Sequence, residues 1–185
     1  MTPSEPVARR RYFRSAAAGG LGAVVVFVVM LWNNGGLFAG SLFGGFYETQ
    51  AHAFRQLRWY IPRGSLGIEG FVLHHRTYEY YGPWPALVRM PLMLFFPSMN
   101  GKWTLVFMLV AFVLALVAVT RLGWQIRTLV RGRETPVSRV ERWWVALFTF
   151  GVGTGSVLLF LASQAWVYHE AEIWGASLSL SLIHI

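Results

Sequence analysis

The sequence predicts an all-α membrane protein: a helical bundle with three full transmembrane helices, a truncated fourth, and short surface helices in the first outer loop. Three observations carry this. Charge is scarce, since 13% of the 185 residues are Asp, Glu, Lys or Arg, about half of what an ordinary soluble domain carries. Apolar runs long enough to cross a bilayer recur along the chain. Of the 15 arginines, four lie in the first 14 residues and six between Arg121 and Arg142, and both groups flank apolar runs, as the positive-inside rule expects of cytoplasmic segments.

Residues 1–15 read as a cytoplasmic basic tail ending in Arg9, Arg10, Arg11 and Arg14. Residues 16–38 form the first apolar run. A secretory leader would share this pattern, with a small-residue cleavage site at Ala39-Gly40-Ser41. The run is longer than the roughly 7–15 residues of a leader's apolar core, which favours an uncleaved anchor. Residues 39–103 lack a long apolar run and read as an outer loop. Within it, Phe46 to Tyr60 is free of Gly and Pro and reads as an amphipathic helix ending before Pro62. Glu69 to Tyr81 alternates loosely, as a short hairpin or an irregular loop. Ala86 to Phe96 is apolar but too short to span, so a re-entrant or interfacial helix kinked at Pro91 is expected.

The second span is 104–123, bracketed by Trp103 and Trp124 as interfacial aromatics. Residues 124–142 make a basic cytoplasmic loop, 143–163 the third span, 164–174 a second outer loop, and 175–185 a truncated fourth helix. Alternation places the protein in the plasma membrane as a multi-pass chain with a cytoplasmic N-terminus. A helix ending half-way across would leave carbonyls unsatisfied in lipid, so the chain reads as a fragment. Its last residues, SLSLIHI, resemble translated sequencing-adapter sequence.

Composition also excludes. The basic charge sits beside apolar runs, which argues for a membrane surface and against a nucleic-acid partner. With no cysteine there is no disulfide framework, thiolate site or thiol nucleophile. Few charges fall inside the spans, which disfavours half of a transporter. Gly151, Gly153 and Gly155 lie within the third span, where close helix packing accounts for them better than phosphate binding.

Three outer constellations could carry chemistry. In FYETQAHAFRQLRWYIP, Glu48, His52 and Arg55 recur at i, i+4 and i+7 on one helix face, with Arg58 following. That set suits a general base, a metal ligand or a sugar contact, and equally a solvated helix face. The stretch IEGFVLHHRTYEYYGPWPALVRMP gathers Glu69, His74, His75, Arg76 and Glu79 with Tyr78, Tyr80 and Tyr81. Adjacent histidines on a strand would face opposite sides and make no shared metal site. The aromatics suit sugars or lipid headgroups, or an interfacial anchor. In VYHEAEIWG, His169, Glu170 and Glu172 stand where the third span ends.

These residues together resemble the N-terminal part of the GT-C-type multi-span membrane glycosyltransferases, in particular actinobacterial-like members. The resemblance rests on the basic tail, the single span, FYETQAHAFRQLRWYIP and the tyrosine- and proline-rich segment Tyr78 to Pro85. It implies transfer of a hexosyl or pentosyl group from a lipid-phosphate-linked donor to a hydroxyl acceptor on the non-cytoplasmic face. Carried onto this chain, it makes Glu48 the candidate general base. It makes His52, Arg55, Arg58, Tyr78, Tyr80, Tyr81, His169 and Glu170 candidate substrate contacts, with Arg55, Arg58 or Arg63 balancing phosphate charge. A divalent cation is a candidate cofactor, with Glu48 and Glu170 as its candidate ligands. The first-loop acid in this family is more often Asp; here it is a Glu followed by Thr. Membrane lipid is an expected partner. A non-catalytic membrane accessory or assembly protein is the alternative expectation.

Overall fold

In the computed structural model, residues 5–32, 35–38, 45–67 and 70–183 are described. Seven α-helices, one two-stranded hairpin and a short 3-10 helix at Pro97–Met99 make up their regular structure. Helix α1 is Glu5–Trp32. The arginines of the expected tail are therefore helical, and 28 residues at 1.5 Å each extend about 42 Å. That exceeds the ~30 Å hydrocarbon core by about two turns. The apolar run to residue 38 is not all helix. Gly35 and Gly36 take φ of 89° and 82°, which glycine adopts without cost, and the Gly36 N–H closes the end on the Leu31 carbonyl at 2.9 Å. The small-residue segment Ala39 to Ser41 lies outside the described residues, as do Glu69, His184 and Ile185.

Helix α2 (Phe46–Arg55) is shorter than its Gly- and Pro-free stretch suggests. Leu57 at φ 55° turns the chain out, and the Arg58 N–H bonds back to Ala53. Strands β1 (Phe71–Leu73) and β2 (Arg76–Tyr78) form an antiparallel hairpin in which Leu73 faces Arg76. His74 and His75 are thus its two-residue turn rather than strand residues, with φ of 48° and 61°, as a type I′ turn needs. Helix α3 (Trp84–Phe95) runs through Pro91.

Helix α4 (Trp103–Arg131) is 29 residues long and continues well past the expected inner boundary. QIRTLVR holds no Gly or Pro and is rich in the helix formers Gln, Arg and Leu, and Gly132 at φ 80° supplies the stop. Two helices, α1 and α4, are long and apolar enough to cross a membrane. A third span exists where helices α5 (Arg139–Gly155) and α6 (Val157–Ser163) are counted together. They meet at a 52° bend, so this run is not one straight helix. The bend has a local cause. Ser156 is extended, its hydroxyl bonds the Val152 carbonyl and caps α6 by accepting from Leu158 N–H, and glycine–serine pairs are a recurrent kink site. Helix α7 (Val167–Leu182) absorbs most of the expected second outer loop, leaving residues 164–166 as the connection.

Packing fixes the helix directions. Gly19 lies against Ala146, and Gly153 against Ala23, so α1 and α5 run parallel. Phe27 stacks on Phe112 at 5.6 Å and Tyr12 meets Trp124 at 5.2 Å, so α1 and α4 run antiparallel. On α7 the Ser177 hydroxyl lies 2.6 Å from the Ala111 carbonyl of α4, and these two run parallel. The elements α2, β1–β2 and α3 sit over one end of this bundle, hereafter the capped end. The opposite end carries Arg127, buried against Glu141 at 2.6 Å, with α5 opened by a Ser138 cap on the Glu141 N–H.

A side-chain carbon at Gly19 would stand 2.0 Å from the Ala146 carbonyl oxygen, whereas Gly151 faces open space. Gly19→Ala should therefore destabilise the protein by roughly 2 kcal/mol or more by forcing α1 from α5. Gly151→Ala should stay within about 1 kcal/mol of wild type. Thermal melts of both variants in one detergent decide this. Equal melting temperatures would mean that the α1–α5 seam is not tightly packed.

Candidate functional site at the capped end

The middle of α3, ALVRMPLM, is apolar except for Arg89, and Arg89 has no exposed surface. A guanidinium in such a place needs a counter-charge and hydrogen-bond acceptors. It finds them on α7. Its Nη2 donates to both carboxylate oxygens of the equally buried Glu170 at 2.6 Å, and to the Thr104 hydroxyl of α4 at 3.4 Å. Two rings complete its surroundings: Tyr47 of α2 at 5.4 Å and Phe107 of α4 at 5.1 Å, both at cation–π range. Its Nε and Nη1 are buried and find no hydrogen-bond partner among the described residues.

Glu79, between β2 and α3, belongs to the same cluster. Both its carboxyl oxygens are buried without a partner among the described residues. Burial pushes its pKa up to about 8; the Arg89 charge opposes that rise and Glu170 adds to it. The Tyr47 hydroxyl is also buried and unpartnered. Burial raises its pKa above the ordinary phenol value, and the negative charges of Glu170 and Glu79 act in the same direction.

Glu48 stands on the first turn of α2 and is 5% exposed. One oxygen accepts from the Gly101 N–H and the other from the Trp103 N–H at 3.3 Å. The Trp103 amide opens α4, where backbone donors have no intrahelical partner and the helix dipole is positive, and Gly101 stands two residues ahead of it. Glu48 thus closes the start of α4 from a neighbouring helix, and its oxygens are already occupied. His52 and Arg55, which share its predicted face, are exposed, because the turn through Gly101 covers only the first turn of α2. Arg58 lies beyond α2, exposed, with its guanidinium 5.8 Å from the Tyr60 ring, where Arg76 also sits at 4.6 Å.

The tyrosines come together in part. Tyr80 and Tyr81 are 4.3 Å apart between ring centres, with hydroxyls at 3.0 Å, and Tyr80 reaches the Tyr168 hydroxyl of α7 at 3.1 Å. Tyr81 also meets the Tyr47 ring at 6.3 Å, which ties this aromatic group to the buried charges. Tyr78 lies in β2 opposite Phe71. His169 does not join Glu170. Its ring stacks on Trp166 at 5.4 Å and packs near Phe160 at 5.1 Å.

The donors do not fit a divalent cation. Glu170 faces a guanidinium, Glu48 faces two amides, and among the described residues no group of three His, Cys, Asp or Glu could hold a metal. Sequence reasoning left out Arg89, Glu79 as a site residue, Tyr168 and Thr104. Arg89 carried a usable signal, a lone charge in an apolar helix. No known family model, characterised protein or solved structure matches the chain.

Two outcomes follow from this geometry. Arg89→Met or Glu170→Met alone should cost about 3–5 kcal/mol, because each leaves an uncompensated buried charge, while the double variant should recover most of that loss. A double-mutant cycle on denaturant or thermal unfolding measures it, and additive losses would mean that the pair is not coupled. Unfolded, Glu79 ionises near 4.5; folded, it keeps its proton to about 8. Its contribution is complete below 4.5 and is lost as pH rises to about 8. Melting temperature should fall across that window, and Glu79→Gln should flatten the fall.

Proposed function

We propose that this is a multi-pass plasma-membrane protein with three spans, α5 and α6 together forming the third. Its N-terminus is cytoplasmic, and its capped end works on the non-cytoplasmic face. The positive-inside rule supports this orientation, because arginine clusters lie at the end opposite the cap. The reaction it suits best is transfer of a sugar from a lipid-phosphate carrier to a hydroxyl acceptor. The observation that carries this reading is the convergence of Glu48, Glu79, Glu170 and Arg89 at one end of the bundle beside the tyrosines 80, 81 and 168.

In this reading the roles shift from those implied by the family resemblance. Glu79 has a pKa of about 8, near neutrality, where a carboxyl exchanges a proton with a hydroxyl acceptor most effectively. Glu48 is a positioning residue that holds the start of α4. Arg89 stabilises negative charge held nearby, and the tyrosine rings offer faces to a sugar.

The alternative, a non-catalytic accessory or assembly protein, is favoured by one feature: the oxygens of Glu48 and Glu170 are both engaged within the protein. Sugar transfer by the protein in lipid nanodiscs, with polyprenyl-phosphate sugars as donors, separates the two. Glu79→Gln should lower transfer at least about 100-fold with unchanged helix content. Glu48→Gln should lower melting temperature and transfer together. Full transfer in both variants, or no transfer by the wild type with any donor, would leave the accessory reading standing.

A further inference from the structure

Away from the capped end, an apolar groove of about 390 Å³ runs along the bundle between α1 and α4. Phe13, Ala17, Gly20 and Val24 line it from α1, and Val113 and Val117 from α4. It is open sideways, since Val117 is 42% exposed and Leu21, on its edge, 66%. Gly20 keeps it deep: a side-chain carbon there would meet one atom within 4 Å, a Thr149 methyl at 3.8 Å.

The groove's length and its mouth identify an occupant. Phe13 to Val24 is 11 helical steps, about 16 Å, which is close to half of the ~30 Å hydrocarbon core. Phe13 also lines the adjoining depression formed by Glu5, Pro6, Arg9 and Arg10. The Arg9 guanidinium lies 5.8 Å from the Phe13 ring. Arg9 and Arg10 are exposed and have no ion-pair partner among the described residues, unlike Arg89 and Arg127. α1 outruns the hydrocarbon by about two turns, so these two arginines stand at headgroup depth while the groove below lies among acyl chains. A second copy docked on this face would bring its own arginines against them, a like-charge contact that disfavours a dimer here.

We propose that this groove binds an anionic phospholipid of the arginine-side leaflet, one acyl chain between α1 and α4 and the phosphate on Arg9 and Arg10. The inference rests on the bundle lying in a membrane and is independent of sugar transfer. Basic residues at a membrane surface each strengthen association with anionic lipid by about fivefold.

The test uses the purified protein in a neutral detergent, titrated with phosphatidylglycerol or with phosphatidylcholine of the same chains. Melting temperature is followed against lipid concentration. Phosphatidylglycerol should bind at least about tenfold more tightly, and Arg9→Gln/Arg10→Gln should weaken it about 25-fold, toward the phosphatidylcholine level. Ala17→Trp, at an exposed position, should fill the groove and weaken both lipids while leaving helix content unchanged. The proposal is overturned by equal affinity for the two lipids, by full phosphatidylglycerol affinity in either variant, or by equal stabilisation with chain-free glycerol phosphate. A wild-type dimer that Ala17→Trp dissociates would overturn it as well.

Discussion

A guanidinium without exposed surface cannot be left alone, and the arrangement of the capped end follows from satisfying Arg89. The side chain belongs to a twelve-residue helix that is too short to span. Its counter-charge belongs to α7, and its hydroxyl partner to α4. The ion pair therefore joins elements that the chain keeps far apart, Arg89 and Glu170 being 81 positions distant. In such a setting the pair favours one docking geometry more than it adds net stability, since desolvating both charges offsets most of their attraction. A slipped α3 would leave a charge buried without its partner, and that cost selects the observed register.

Glu48 performs a related task for α4. The first turn of a long apolar helix presents backbone donors that lipid cannot satisfy. A carboxylate from α2 accepts one of them, the Trp103 N–H, along with the Gly101 N–H just ahead of the helix, and faces the positive end of the helix dipole. The residue that a family resemblance marks for chemistry is thus fully engaged in joining cap to bundle. Glu79, by contrast, finds no hydrogen-bond partner for its carboxyl among the described residues, so its proton is the least committed of the cluster. In the proposed reading, positioning and proton exchange fall to different carboxyls for that reason.

The bundle was legible where one segment decides the matter. Apolar length marks α1 and α4, whereas of the three glycines of GVGTG Gly153 alone packs closely, against Ala23, while Gly151 and Gly155 face open space. Features set by an individual stop were less visible. Arg9 to Arg14 look like a tail because they are charged, yet charge does not prevent a helix from extending beyond the lipid. The bend at Ser156 depends on a hydroxyl turning back to its own backbone, which hydropathy does not register. His74 and His75 read as strand residues by alternation, and become a turn because the strands on either side pair in register. In the candidate site, Glu48 and Glu170 stood out by charge, while Tyr168 and Thr104 depend on tertiary contacts that no spacing in the sequence encodes.

The two ends of the molecule treat charge in opposite ways, and this asymmetry follows from where each charge lies relative to lipid. At the capped end acids and a single arginine are buried together, so each must be matched atom by atom, and the position of one dictates the position of the others. At the other end most arginines remain exposed on helices that run past the hydrocarbon, where water and headgroups can balance them. Arg127 is the exception: it is drawn in beside Trp124 and closed by Glu141 and the Thr135 carbonyl, which fixes the turn between α4 and α5. One buried arginine at each end thus holds a connection, α3 to α7 above and α4 to α5 below, the latter joined by the exposed Arg131 at 3.6 Å from Glu141. Arg9 and Arg10, exposed and without an ion-pair partner among the described residues, are left to meet a partner from outside the chain.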